Sequence, residues 1–411
     1  MKKKSIIFII PRNPFPPYSG FAKHCFFISK YLKKLGYKVI LVSLNFNLFK
    51  IFSKDYVDSP FDKHYRLKLN FIDCFFIFFS TFASIFQSKP IQLSFFDSPF
   101  FKKRFKLILK RIIKENNISF IHIFSIRTIK LWPILDCFRI PFFIDLIDSV
   151  GLTFDRYAKN TFSPLSAIYN IEAFALRRIE SAMPNFRNLR AYSLVSRIDS
   201  DRINIKDCFI NKKYSYPIGI DFYSNKKKLT TYKTKYLYDL IFFGSLNYKP
   251  NLTAISWFIN DVMPLLVKNI PEIKLLVTGY NPPSNLINLI KLNSNIELIK
   301  NPTEIEPLLK ISKISIAPML TGSGQQNKVI ESMAFGLPVV LSPKASEPLC
   351  LTNMENCIIA ENSLDYFYGI KLLLNNSMLR RKIGLDGLKF VCQNHMWEDI
   401  VSNLVKDIYE N

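Results

Sequence analysis

The sequence predicts an α/β fold built from two doubly wound, Rossmann-like domains. Three observations carry that expectation. Short buried-strand candidates alternate with helical periodicity along most of the 411 residues, a polar and basic break falls near the middle, and a glycine loop leading into a helix sits late in the chain. Such alternation builds a mostly parallel sheet covered by helices on both faces. No period of 20–50 residues recurs, which argues against a repeat protein.

The opening unit reads as strand Ile6–Ile10, loop Pro11–Gly20, helix Phe21–Leu35 and strand Lys38–Ser43, with Gly36 as the helix C-cap. A helix closed by glycine between two apolar runs is a βαβ start. The first residues, MKKKSIIFIIP, imitate a signal peptide, but the apolar run ends at Pro11 and suits a buried strand better. The run Phe75–Phe86, FFIFFSTFASIF, is too short to span a bilayer, which needs about 20 residues. It reads either as a core helix or as a helix dipping into a membrane face. Helix Phe101–Glu115 and strands Ile118–Phe124 and Pro141–Leu146 follow, then helical periodicity over 164–183 with Leu176, Ile179 and Met183 on one stripe.

Residues 222–238, FYSNKKKLTTYKTKYLY, have little apolar periodicity. We read a linker over 223–238 between an N-terminal domain, 1–222, and a C-terminal domain, 239–394. The second series runs strand Asp239–Gly244, helix Asn251–Asn269, strands Lys274–Gly279 and Ile296–Ile299, helix Glu304–Lys310 and strand Ile314–Pro318. Helices Ser363–Asn375 and Met378–Cys392 come after the glycine loop. The tail 395–411 is amphipathic over His395–Tyr409, with Trp397, Ile400, Leu404 and Ile408 on one face. Two doubly wound domains would bind ligands in a cleft at the strand carboxyl ends.

A hydrophobic content of 49% and a mean hydropathy of +0.10 exclude disorder. The net charge of +24 is uneven: 36 basic against 16 acidic residues over 1–222 give +20, leaving +4 for 223–411. One basic half suggests an anionic partner. An anionic membrane surface is preferred to nucleic acid, because no nucleic-acid module is recognisable. The seven cysteines are scattered, odd in number and never C-x-x-C, which fits a reducing cytosol and neither disulfides nor zinc.

Chemistry concentrates in Thr321–Val340, TGSGQQNKVIESMAFGLPVV. Gly322, Ser323 and Gly324 form a hinged loop that runs into a helix carrying Lys328 and Glu331, followed by a short buried strand. A helix N-terminus offers free N–H groups and the positive end of the dipole to an anion. A lysine one turn in, and a carboxylate three residues later on the same face, suit a phosphate and a sugar hydroxyl. The third glycine of a dinucleotide fingerprint is missing, since Asn327 stands there. Asp199-Ser200-Asp201 is formally D-x-D but lies at a helix start after Ser196, where capping accounts for acidic residues. No cluster elsewhere has metal-ligand spacing, so no metal site is expected.

The segments IIPRNPFPPYSGFAKH, FIHIF, YPIGID, FFGSLNYKPNLTAISWF, GSGQQNKVIESMAFGLPVV and HMWEDIVSNLVKDIY fall in the order found in GT-B glycosyltransferases of the family 4 type. The chain resembles the bacterial sugar transferases of surface-polysaccharide clusters. That resemblance implies a GT-B fold, with the tail helix crossing back onto an acceptor-binding N-terminal domain. It implies that Glu331 accepts the ribose hydroxyls of a nucleotide, that Lys328 opposes its diphosphate, and that the amides around Ser323–Gln326 hold sugar hydroxyls. Family members often place a further glutamate where this chain has Ser323, which makes Gln325 and Gln326 the replacement candidates. Many relatives have Arg and Lys after the glycine matching Gly244; here Ser245 follows and Lys249 is the nearby cation.

In the N-terminal domain the resemblance places Gly20 where a loop approaches the diphosphate, and directs His122 toward the donor sugar. Asp145 and Asp148, in FFIDLIDSVG, resemble a D-x-x-D segment, and Asp148 is a candidate for acceptor positioning, with helix capping as the alternative. The implied activity is retaining, metal-independent transfer of a sugar from a nucleoside diphosphate sugar to a lipid-linked surface glycan. No cofactor is implied. The implied setting is the cytoplasm, peripheral on the inner membrane, with no nucleic-acid partner. A nucleotide-sugar 2-epimerase and a non-catalytic GT-B binding protein are the alternatives.

Overall fold

The computed structural model describes residues 4–15, 17, 20–45, 59–87, 89–159, 165–202, 213–221, 236–321 and 324–410. They divide into two units, Met1–Pro217 together with Trp397–Asn411, and Ile218–Met396. The polar segment read as a linker lies almost wholly outside the described residues, as do Gly322 and Ser323.

The first unit contains strands β1 Ser5–Ile10, β2 Lys38–Asn45, β3 Lys63–Lys68, β4 Ile118–Phe124, β5 Phe142–Asp145, β6 Leu189–Leu194 and β7 Lys213–Ser215. They form one parallel sheet in the order β3-β2-β1-β4-β5-β6-β7. Every residue of β1 is buried, as a central strand covered on both faces requires. Ile7 and Ile9 pack with Ile121, Ile123 and Ile144 on one face of the sheet, against Phe101, Phe105 and Leu109 of the helix Pro99–Glu115.

The second unit holds β8 Tyr238–Ser245, β9 Leu275–Tyr280, β10 Ile296–Lys300, β11 Ser312–Ala317, β12 Val339–Leu341 and β13 Ile358–Ile359, parallel in the order β10-β9-β8-β11-β12-β13. Both sheets therefore wind outward from their first strand and then reverse, the doubly wound order, with the reversal between β1 and β4 and between β8 and β11. The fold class is the one the sequence predicts.

The helix expected over Asn251–Asn269 is three pieces: Lys249–Trp257, a π-helical turn Phe258–Val262, and Met263–Asn269. Pro264 lacks an N–H and crowds the preceding turn, which widens there instead of breaking. Strands β3, β6, β7 and β13 went unpredicted because they are short or carry polar residues such as Lys63, His64 and Arg66.

The chain's last helix, Trp397–Leu404, and the wider turn Val405–Tyr409 belong to the first unit. Trp397 stacks on Phe27 at 5.8 Å between ring centroids and meets the edge of His24 at 5.5 Å, both on the helix Gly20–Lys34. Among the described residues no helix is long and apolar enough to cross a membrane.

Candidate functional site

In the second unit the glycine motif sits where the sheet order reverses. The loop after β11 ends at Gly324 and Gln326, and the helix Asn327–Ala334 follows. Gly324 has φ +70°, a left-handed conformation that glycine adopts without strain. Gln326 occupies the N-cap position, and no side chain caps the helix there. Lys328 is buried. Its Nζ donates 2.7 Å to Asn251 Oδ1, contacts Met319 Sδ at 3.6 Å and lies 4.2 Å from the Phe242 ring centre. Burial pushes this ammonium down to about 7, against an opposing pull from Glu331. Its hydrogen-bond acceptors are neutral, so a buried cation stands at a helix N-terminus close to the reversal point.

Gly244, near the end of β8, belongs to the same place. A Cβ there would come within 2.9 Å of Asn251 Nδ2 and 3.7 Å of Lys328 Cε, so a side chain would fill the space beside the lysine. Asn251 holds the two together, since its Nδ2 donates 3.0 Å to the Ser245 carbonyl. Sequence reading missed this residue, although it lies in the segment NYKPNLT after β8, where a buried asparagine in a first helical turn is a signal. Lys249 is exposed at the start of that helix. Glu331 is half-buried one turn beyond Lys328, on the same face.

Gln325 was expected to replace the missing carboxylate, but both ends of its amide are engaged. Its Oε1 accepts from the Ile218 N–H at 2.8 Å, and its Nε2 donates to the Pro348 carbonyl at 3.2 Å. It braces the loop. Gln326 and Asn327, both half-buried, remain at the loop's end.

In the first unit His122 is not at a strand tip. The strand continues to Phe124, and His122 is fully buried two residues inside it, stacked against the Phe124 ring at 4.1 Å. Nδ1 shares a 2.7 Å hydrogen bond with the Tyr409 hydroxyl, and Nε2 lies 3.5 Å from Asp145 Oδ2. The expectation that His122 faces a donor sugar is thus corrected: its ring is enclosed by Phe8, Phe124, Phe143 and Tyr409. Burial lowers its affinity for a proton, against the pull of Asp145. Burial alone would raise the Asp145 carboxyl, but His24, bonded at 2.9 Å, and His122 outweigh it and hold it below the usual carboxylate range. Asp145 Oδ1 also accepts from the Ile147 N–H at 3.0 Å.

This His24–Asp145–His122–Tyr409 chain links the helix Gly20–Lys34, the end of β5 and the interior of β4 to the turn Val405–Tyr409. Tyr409→Phe removes the partner of a buried imidazole nitrogen and is expected to cost about 1–3 kcal/mol. The measurement is a urea titration, in which the midpoint falls and the slope is kept. An unchanged midpoint would mean the bond adds nothing.

Asp148 lies in the loop after β5, half-buried, and burial followed by the charge of Asp199 pushes it up to about 6. It does not cap the next helix; Ser149 Oγ does, accepting from the Leu152 N–H at 3.0 Å. Gly20 is the first residue of its helix and exposed, one position earlier than expected. Asp199 and Asp201 point apart: Asp199 is buried, 3.6 Å from Arg156, while Asp201 is exposed near Arg197. Among the described residues no group of three His, Cys, Asp or Glu side chains is placed to hold a metal.

Residues 238–376 match the family model described as glycosyl transferases group 1. The solved structure of a glycosyltransferase from Rickettsia africae is similar at TM-score 0.69 and 16% identity, over 100% of this chain and 98% of that one. Anabaena HepE, solved with UDP and glucose, is similar at TM-score 0.61 and 12% identity, over 98% of this chain and 99% of its own. A Klebsiella pneumoniae protein of 44.6 kDa from a cps region is 25% identical over 177 residues, 41% of this chain and 45% of that protein. The aligned region therefore spans less than half the length of that curated relative. These likenesses and the order of the two sheets give the chain the GT-B fold. Its second unit carries the group 1 glycosyltransferase domain.

Proposed function

We propose that the protein is a retaining glycosyltransferase that moves a sugar, without a metal, from a nucleoside diphosphate sugar to a lipid-linked bacterial surface glycan. The observation that carries this reading is Lys328, a buried ammonium with neutral hydrogen-bond acceptors beside an uncapped helix N-terminus. A diphosphate supplies an anion for the helix end and for direct bonding to the lysine, and it is the group that gathers charge as the sugar departs. Glu331 then accepts ribose hydroxyls, while Gly244 leaves the space beside Lys328 open. The amides at Gly324, Gln326 and Asn327 bind sugar hydroxyls in this reading. Lys249, exposed at its helix start, adds positive charge near the same strand end.

On the acceptor side, Asp148 is the group we assign to positioning, because a carboxyl pushed up to about 6 can exchange a proton near neutral pH. Gly20, which has no side chain at the start of its helix, is the position we assign to close approach of the diphosphate. His122 acts at one remove, by holding Asp145 and the last turn in place. The UDP and glucose bound by HepE, and the cps region of the Klebsiella relative, favour a nucleotide-sugar donor and a capsule-type glycan. The net charge of +24 favours a cytoplasmic enzyme resting on an anionic membrane face.

Isothermal titration against UDP-, GDP- and ADP-sugars tests the donor assignment. Binding of one base class in the micromolar to millimolar range is expected. A chain that binds none of them is not a transferase of this kind, and the non-catalytic reading replaces it.

A further inference from the structure

We propose that the helix Phe71–Phe86, with the basic face of the helix Pro99–Glu115 beside it, is an insertion surface that seats the first unit in a bilayer containing anionic lipid. The proposal rests on the lipid-linked acceptor proposed above, and it names the surface that would reach it.

The helix Phe71–Phe86 is built inside out. Its polar residues turn inward and are satisfied there. Asp73 is fully buried, accepting from Ser98 Oγ at 2.6 Å, from the Asn70 N–H at 2.8 Å and from Arg104. Ser80 Oγ donates 3.1 Å to Asp97, and Ser84 Oγ meets Ser94 Oγ at 3.0 Å. The outward face is aromatic and apolar: Phe71, Ile72, Phe75, Phe78, Phe79 and Phe82 are between 52% and 80% exposed. A core helix has the opposite arrangement, and six large apolar side chains on one polar-anchored helix form a patch that needs a cover.

The neighbouring helix says what the cover is. Asp73 ties the two together through Ser98 and Arg104, and Phe76 meets Phe100 at 5.6 Å, which extends the aromatic surface onto the second helix. Further along, Lys103, Lys106, Lys110 and Lys114 are exposed at spacings of three and four residues. An aromatic strip beside a lysine row fits acyl chains below anionic headgroups. A second copy of the chain is a poor cover, because its own lysine row, on a half carrying +20, would be brought against this one. At 16 residues the helix is about 24 Å long and lies in the interface without spanning it.

The test uses the full chain with vesicles of phosphatidylcholine alone or with about 30% phosphatidylglycerol. Phe78→Trp should shift its emission to the blue on the anionic vesicles and be quenched by brominated acyl chains. Phe78→Ser with Phe82→Ser should lower the bound fraction about tenfold or more at every salt concentration. Lys103→Glu with Lys106→Glu and Lys110→Glu should remove the preference for anionic vesicles, the part of binding that salt screens. Tryptophan emission unmoved by vesicles overturns the proposal, as does a dimer in sedimentation equilibrium that the double serine variant splits. Nucleotide-sugar titration of the same variants keeps the two ideas apart. Lost vesicle binding with donor binding retained bears on this surface, and absent donor binding in the unaltered chain bears on the transferase reading.

Discussion

Glu331→Ala should remove donor-dependent transfer while leaving the fold intact. Two hydrogen bonds to a carboxylate are worth about 3–6 kcal/mol, at least roughly a hundredfold in kcat/KM. The side chain is half-buried on the helix Asn327–Ala334, whose buried residues Val329, Ile330 and Met333 are untouched by the change. Thermal unfolding should therefore stay within about 1 kcal/mol of the unaltered protein. Glu331→Gln keeps one acceptor oxygen and should fall between the two. Turnover that survives Glu331→Ala unchanged would remove the ribose assignment, and with it much of the case for a nucleotide at this helix.

Lys328→Met is expected to act in opposite directions on stability and on binding. In the unfolded chain the lysine titrates at its ordinary 10.5, and in the folded protein at about 7. Between those values the unfolded state holds more protons, so stability rises with pH through that window, and the buried charge opposes folding near neutrality. Methionine removes the charge and should stabilise the protein at pH 7 by about 1–4 kcal/mol, with a flatter profile from pH 7 to 10. Donor affinity should fall at least about tenfold, because a charge-assisted bond to the diphosphate is gone. The unaltered protein should also take up a proton when it binds donor near pH 8, since the diphosphate restores the charged form. Calorimetry in buffers of different ionisation enthalpy reads that proton directly. A heat of binding independent of buffer, or a methionine variant less stable at pH 7, would contradict the role given to Lys328.

Much of the second unit was legible because its strands are apolar runs and its motif is local. Gly324, Lys328 and Glu331 sit within eight residues, and a single helix turn brings the last two to one face. Asn251 escaped because its importance is tertiary: it matters only once β8 and β11 are neighbours. His122 was misplaced for a similar reason. Its strand was identified correctly, but whether a histidine ends a strand or is capped by two further apolar residues decides between a site and a core. The Phe71–Phe86 helix resisted reading because hydrophobic content alone says nothing about direction. Its serines and Asp73 look like the solvent face of a core helix until their partners on residues 94–104 are known. Gln325 illustrates the converse, a residue of the right type in the right loop that the backbone of Ile218 and Pro348 had already claimed.

The first unit is interrupted in sequence, since Trp397 and Tyr409 complete a core begun by β1 and β4. On the ribosome the N-terminal sheet therefore emerges without its last packing partners, and Ile218–Met396 is the first continuous stretch able to close its own core. Until Tyr409 has been synthesised, His122 lacks its tyrosine, and the outward phenylalanines of Phe71–Phe86 stand beside an unfinished domain. Synthesis of Trp397–Tyr409 is thus the step that lets the first unit close its core, although the phenylalanines of Phe71–Phe86 stay outward even then.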